Sequence, residues 1–152
     1  MSPGTPGFSG VDSALEASVT TMTVNIKVGH RALVDAAEAE IQSLSPEEAA
    51  RLQSEGTAIL VDIRDVRELK KLGKVPGAEH MPRGMLEFWV DPESPYFKPI
   101  FHEDKSFVLY CGSGWRSALA TKALQDMGLE NVAHVAGGFT AWKEAGLPTE
   151  AP

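Results

Sequence analysis

Cys111 is the residue most suited to take part in a chemical reaction. It is the only cysteine among 152 residues, and it begins a glycine-rich hexapeptide that ends at Arg116. A cysteine thiolate is a strong nucleophile and forms covalent intermediates in group-transfer reactions. A lone cysteine forms no intrachain disulfide and has no second thiol to resolve an adduct. It can equally be an inert, buried, small hydrophobic residue, so its neighbours have to distinguish the two interpretations.

The neighbours of Cys111 favour the thiolate. The apolar run before it, FVLY, predicts a buried strand, and a helical pattern begins within a few residues after it. Ligands of open α/β sheets bind at this carboxyl end of the strands. Gly112 and Gly114 let backbone N–H groups converge into an anion-binding nest, the helix N-terminus adds a partial positive charge, and Arg116 adds a permanent one. The alternative is a glycine-rich turn beside a core cysteine.

The elements needed to position this loop can be read from apolar patterning. Nearly continuous apolar runs at 58–63 and 107–110 predict parallel strands buried on both faces, with shorter strands at 78–81 and 132–135. Helices are predicted at 33–44, 46–54, 65–73, 83–90, 115–127 and 139–146. Two of them open with capping boxes, led by Ser45 and Asp65. Alternating strands and helices predict an α/β domain with a mainly parallel central sheet.

The chain divides into an N-terminal segment and one domain. Proline and glycine at positions 3, 4, 6, 7 and 10 predict a flexible arm over residues 1–28, followed by a single domain over 29–152. Pro92, Pro95 and Pro99 predict a long surface loop within 91–105. This loop and its flank are aromatic, so it either covers the core, overhangs the site or meets a partner.

Charge and composition exclude several kinds of partner. The formal net charge is −7, with no basic cluster, which argues against a nucleic-acid or anionic-membrane partner. No apolar run approaches the roughly 20 residues needed to cross a bilayer, and the N-terminus lacks a secretory pattern, so we expect a cytoplasmic protein. The histidines show no metal-ligand spacing and are interpreted as structural or surface residues; they are His30, His80, His102 and His134.

Four segments, in order, resemble the signatures of rhodanese domains. Residues 111–116 resemble the active-site loop, C-x-x-G-x-R, and residues 61–68 (VDIRDVRE) look like the first rhodanese signature. Residues 73–82 are similar to the G-x-I-P-G-A-x-x-I-P segment, and 137–148 to the C-terminal G-G-x-x-A-W…A-G-x-P segment. The resemblance covers about residues 45–148 and implies a rhodanese-like three-layer domain, with helices on both faces of the sheet.

The resemblance also implies an activity, that of a thiosulfate-type sulfurtransferase. Cys111 would be the catalytic nucleophile and would carry the sulfur as a persulfide, held by a loop comprising Gly112, Ser113, Gly114, Trp115 and Arg116. The implied partners are a small anionic sulfur donor, such as thiosulfate, and a thiol or cyanide-type acceptor. Neither a metal nor an organic cofactor is required by this chemistry.

Two other functions remain open at this point. Rhodanese-related phosphatases and arsenate reductases use C-x5-R, usually with His before the Cys, whereas here four residues separate Cys111 from Arg116 and Tyr110 precedes the Cys. The shorter loop encloses a smaller cavity, which favours a sulfur atom over a phosphate. The other alternative is a non-catalytic rhodanese binding module, although the usual sign of such a module is loss of the loop cysteine.

Several residues outside the loop have less specific interpretations. Asp62 and Arg64 are predicted to be structural, at the end of the neighbouring strand, or to orient the active-site loop. Trp142, at helical spacing from Phe139, is predicted to belong to the core.

Overall fold

The computed structural model describes residues 23–152, and most of the predicted N-terminal arm, residues 1–22, lies outside them. Residues 23–28 are exposed and form neither helix nor strand. In chain order the elements are α1 (His30–Glu38), β1 (Gln42–Leu44), α2 (Pro46–Ser54), β2 (Ala58–Asp62), α3 (Val66–Leu72), β3 (Glu79–His80), a 3₁₀ turn (Arg83–Met85), α4 (Leu86–Val90), a second 3₁₀ turn (Pro99–His102), β4 (Ser106–Tyr110), α5 (Trp115–Asp126), β5 (Val132–Val135) and α6 (Gly138–Glu144).

The five strands form one sheet in the order β1-β5-β4-β2-β3, and every neighbouring pair is parallel. The central strand β4 pairs with β2 along its whole length, from Ser106 opposite Ala58 to Tyr110 opposite Asp62. All five strands therefore end at the same edge of the sheet. The prediction of an α/β domain with a parallel sheet is confirmed.

Helices cover both faces of this sheet. On one face α2 and α6 pack over the strands through Ala49, Phe139 and Trp142, which places Trp142 in the core as predicted. On the other face α4 and α5 pack through Leu86, Ala120 and Leu124. The outermost helix, α1, contacts α5 through Val34 and Ala37. Alternate residues along the strands point to the two faces of the sheet. The domain therefore has three layers, with the sheet between two layers of helices.

The first predicted helix is too long, because the helix ends at Glu38 and residues 42–44 form an edge strand instead. The spacing of Ile41 and Leu44 continues the helical apolar pattern, which led to the error. Pairing of Gln42–Leu44 with β5, together with a hydrogen bond from Ala136 N to Leu44 O (2.8 Å), satisfies the backbone there. Tertiary pairing therefore overrides the local pattern.

The two predicted capping boxes are both present. Ser45 Oγ accepts from Glu48 N (3.1 Å) while Glu48 accepts from Ser45 N (3.0 Å), and Asp65 and Glu68 repeat the arrangement at the start of α3. These reciprocal bonds fix where α2 and α3 begin. The second box also fixes Glu68, which the site uses.

The segment 91–105 runs over the surface as predicted and contains one short regular element, the turn Pro99–His102. Its aromatic end is a core cover, since the rings of Phe101 and Phe107 lie 4.8 Å apart. Within residues 23–152, no helix combines the length and apolar character required to span a membrane.

Candidate active site

Cys111 is the first residue after β4 and lies at the carboxyl edge of the sheet, with only 1% of its surface exposed. Its Sγ accepts hydrogen bonds from the backbone N–H groups of Gly114 (3.2 Å) and Ser117 (3.4 Å). Gly114 has φ = +103°, a conformation that glycine adopts without strain and that turns the chain into α5. The loop and the first turn of α5 thus each present one amide donor to the same sulfur atom.

The residues that follow the C-terminal glycine pair, Gly137 and Gly138, bind the carbonyl groups of this loop. Phe139 N donates to Cys111 O (2.8 Å) and Thr140 N donates to Gly112 O (3.0 Å). A Cβ atom on Gly138 would lie 2.6 Å from Cys111 O, so only glycine permits this approach. These two hydrogen bonds from the first turn of α6 fix the backbone of the loop beside the sulfur.

Arg116, the second residue of α5, is fixed by an ion pair. Its Nη1 and Nη2 atoms donate to the two carboxylate oxygens of Glu68 at 2.7 and 3.0 Å. This pairing, supported by the nearby Cys111, raises the pKa of the Arg116 guanidinium, and it lowers the pKa of Glu68. The guanidinium also lies against the loop, since its Nη2 is 3.3 Å from the position a Cβ would take on Gly112.

A chain of polar side chains leads away from the cysteine, from the buried Ser117 and His134 to the exposed Ser43 on β1. Cys111 Sγ lies 3.6 Å from Ser117 Oγ, which lies 2.9 Å from Nδ1 of His134, and Nε2 of His134 lies 3.1 Å from Ser43 Oγ. Burial lowers the pKa of His134 to about 4, so its imidazole is neutral at neutral pH. His134 was predicted to be structural or on the surface; it is fully buried and two hydrogen bonds from the sulfur.

Asp62 and Arg64 form a buried brace beside the loop. Arg64 Nε and Nη2 donate to the two oxygens of Asp62 at 3.0 and 2.7 Å, and Tyr110 Oη donates to Asp62 Oδ2 at 2.6 Å. Burial, followed by the charge of Asp62, raises the pKa of Tyr110. The Arg64 guanidinium carbon sits 4.3 Å from the centre of the Phe139 ring. The pair therefore supports the residue whose amide binds Cys111 O.

Two loop side chains are exposed to solvent and form no hydrogen bond with the sulfur. Ser113 is exposed, and Trp115 is 44% exposed, with its ring 5.0 Å from that of His30 and 5.5 Å from the Arg31 guanidinium. Trp115 thus links the loop to α1. Gly112, Gly114 and Arg116 lie close to Cys111, as the sequence suggested.

Sequence reasoning missed three residues of this site: Glu68, Ser117 and His134. Glu68 was identified as a helix-capping residue and as part of the first signature, but not as the partner of Arg116, which lies 48 positions further along the chain. His134 does carry a signal, because it is a lone polar residue within the buried strand VAHV. In the part of the chain that the structure describes, no three His, Cys, Asp or Glu side chains are grouped as a metal site requires.

Comparison with known proteins identifies the relatives of this chain. The rhodanese-like domain family matches residues 45–145. The chain is 30% identical to human thiosulfate:glutathione sulfurtransferase over 108 residues, covering 67% of this chain and 93% of that protein. It is 34% identical to an uncharacterised protein of Synechocystis, covering 70% of this chain, and it spans 55% of that relative's length.

A solved structure with a high similarity comes from Rhodopseudomonas palustris. It is 53% identical, has a TM-score of 0.81 and covers 85% of this chain and 99% of its own. That protein is described as being of unknown function and as a possible tyrosine phosphatase.

Proposed function

Because the chain belongs to the rhodanese-like domain family, we propose that it is a sulfurtransferase that moves a sulfane sulfur from a thiosulfate-like donor to a thiophilic acceptor through a persulfide on Cys111. The observation that carries the proposal is the pair of amide donors, Gly114 N and Ser117 N, directed at Cys111 Sγ. Amide donors fixed at an anionic sulfur stabilise a thiolate without requiring a metal.

The proposed reaction has two displacements. The Cys111 thiolate attacks the outer sulfur of thiosulfate, a bond forms between the two sulfurs, and the sulfur–sulfur bond of the donor breaks as sulfite leaves with its electron pair. The enzyme then carries Cys111–S–S⁻. An acceptor such as cyanide attacks the outer sulfur, becomes thiocyanate, and returns Cys111 to the thiolate.

The charges around the loop suit an anionic donor. Arg116 lies against the loop. A groove of about 410 Å³ beside it is lined by Asp65, Arg67, Glu68, Lys71 and Leu72, with Arg67 paired to Asp65 and Glu68 paired to Arg116. Although the whole chain has a net charge of −7, these side chains have a local excess of one positive charge, which favours the approach of an anion.

The burial of Cys111 limits the size of the atom that reacts. With 1% of the residue exposed, the donor must present a small terminal atom, and the outer sulfur of thiosulfate is one. A larger tetrahedral group would have to displace the loop that supplies the amides.

A phosphatase is the second candidate, since the Rhodopseudomonas palustris protein is described as a possible tyrosine phosphatase. One feature argues against it. Four residues separate Cys111 from Arg116, whereas the related phosphatases have five at this place.

The test is to incubate the protein with thiosulfate and measure its intact mass. We expect a gain of one sulfur atom, lost on addition of cyanide with release of thiocyanate. Cys111→Ser is expected to gain nothing. A wild-type protein that never gains sulfur but hydrolyses an aryl phosphate would contradict the proposal.

A further inference from the structure

We propose that His134 is a positioning residue for Cys111, acting through Ser117. The observation is the continuous hydrogen-bonded chain from Cys111 Sγ through Ser117 Oγ to His134 Nδ1, with Ser43 Oγ at Nε2. The inference rests on the proposed function, because it assigns a role in keeping the sulfur reactive. It adds a residue from β5, 23 positions beyond the cysteine and outside the glycine-rich loop.

The Ser117 hydroxyl has one proton and several competing partners. When Cys111 is a thiol, its S–H donates to Ser117 Oγ; when the sulfur is anionic, the hydroxyl has to donate to it. The carbonyl of Gly114 lies 3.3 Å from the same Oγ and competes for that proton. Something must therefore set the direction of the hydroxyl for each state of the sulfur.

A neutral imidazole can serve both states. With its proton on Nε2, His134 donates to Ser43 and accepts the Ser117 proton at Nδ1, which leaves Ser117 Oγ to accept from the thiol. With its proton on Nδ1, His134 donates to Ser117 Oγ, and the hydroxyl proton is free to point at the anionic sulfur. Without His134, the Gly114 carbonyl is the remaining acceptor and draws the proton away from the sulfur.

The surroundings keep His134 in this neutral form. The residue is fully buried, and within residues 23–152 the hydrogen-bond partners of its ring nitrogens are two serine hydroxyls, the buried Ser117 of α5 and the exposed Ser43 of β1. A cationic imidazole would donate from both nitrogens and could not accept from Ser117. Because the ring is buried and no carboxylate of the described residues bonds to it, the two-way hydrogen bond is preserved.

The test compares variants that keep or remove the group at the Nδ1 position. His134→Asn places an amide there that can accept from or donate to Ser117, whereas His134→Leu can do neither. We expect sulfur loading from thiosulfate to slow about tenfold in His134→Leu and Ser117→Ala, and to stay within about threefold of wild type in His134→Asn. If His134→Leu fails to fold, His134→Gln, whose amide lies nearer the Nε2 position, replaces it with the same expected loss.

A double variant tests whether His134 acts through Ser117. Because removal of the hydroxyl leaves His134 nothing to orient, Ser117→Ala/His134→Leu should load within about twofold of Ser117→Ala alone. Thr121→Val is the matched control: it removes another buried hydroxyl from the same face of α5, one that bonds Ala133 O at 3.5 Å, and should load within about twofold of wild type.

A second readout separates this inference from the proposed function. The rate at which Cys111 reacts with methyl methanethiosulfonate, followed by mass, should fall in the same variants and recover in His134→Asn, whether or not thiosulfate is a donor. Failure of wild type to load thiosulfate would overturn the proposed function alone. Additive losses in the double variant, or equal rates in His134→Asn and His134→Leu, would overturn the role of His134.

Discussion

Both carboxylate oxygens of Glu68 bind the guanidinium of Arg116, at 2.7 and 3.0 Å, and so join the start of α3 to the first turn of α5. The pair is partly exposed, which makes its contribution to stability modest. Its effect is geometric: the arginine is held against Gly112 and the loop is fixed between two helices. A lysine offers one point charge and cannot match two oxygens in this way.

We therefore expect Arg116→Lys to keep the positive charge but to bind thiosulfate less well. The KM for thiosulfate should rise about tenfold, because the cation is no longer held against the loop. Steady-state release of thiocyanate measures this. Arg67→Lys is the control, since Arg67 forms a similar pair with Asp65 but is far more exposed, and its KM should change less than twofold. Equal KM values in the two variants would contradict the role given to Arg116.

Gly138→Ala should disrupt the loop through its carbonyl groups. The new Cβ would meet Cys111 O at 2.6 Å and the Gly112 carbonyl at 2.8 Å, and the residue has φ = +62°. We expect the free energy of unfolding to fall by at least about 2 kcal/mol, and the folded fraction to load sulfur poorly. Urea unfolding and intact mass measure the two effects.

Gly56→Ala separates strain from collision in that experiment. Gly56 has φ = +78° with no atom within 4 Å of the added Cβ, so its replacement should cost only about 1 kcal/mol and leave loading intact. A Gly138→Ala protein as stable and as active as Gly56→Ala would show that the close approach is unimportant.

Tyr110→Phe tests the brace beside the loop. The hydroxyl donates to Asp62 Oδ2 at 2.6 Å and accepts from Val75 N at 3.2 Å, all within the buried core. Its removal leaves two polar groups short of a partner, and we expect a loss of about 1–3 kcal/mol in the free energy of unfolding. Tyr96→Phe, on a side chain 61% exposed, should change it by less than about 0.5 kcal/mol.

His134 should make the protein sensitive to acid. Its pKa falls from 6.5 to about 4 on folding, so between these values the unfolded chain binds the proton and the folded one does not. Stability therefore rises with pH across this window, and the native state loses about 3 kcal/mol by the time pH has fallen below 4. Urea unfolding over a pH series should show this slope in wild type and lack it in His134→Asn. A slope unchanged in His134→Asn would assign the acid sensitivity to other groups.

Most of the scaffold could be predicted from the sequence because its signals are local. The continuous apolar runs of β2 and β4 and the capping boxes at Ser45 and Asp65 lie within a few residues of the elements they specify. The edge strand Gln42–Leu44 has no such signal. Two of its three residues are polar, and only pairing with β5 makes it a strand.

The site was predictable where its residues are contiguous. Gly114 and Arg116 lie near Cys111 because one turn contains all three, whereas Glu68 and His134 reach the loop from other elements of the fold. Neither the capping box at Asp65 nor the apolar pattern of β5 indicates that Glu68 or His134 will contact the residues around Cys111. Those distances are set by the register of the sheet and the docking of α5.

The contact between the C-terminal glycine pair and the cysteine loop has a consequence for synthesis. Phe139 N and Thr140 N, the donors that hold the carbonyls of Cys111 and Gly112, are made after the nucleophile and after the strand that carries His134. On the ribosome, the cysteine emerges before the groups that turn its loop into an anion site. Until this segment has left the exit tunnel, the nascent chain would hold an ordinary thiol, and the fixed amide donors at the sulfur would form only when the domain closes.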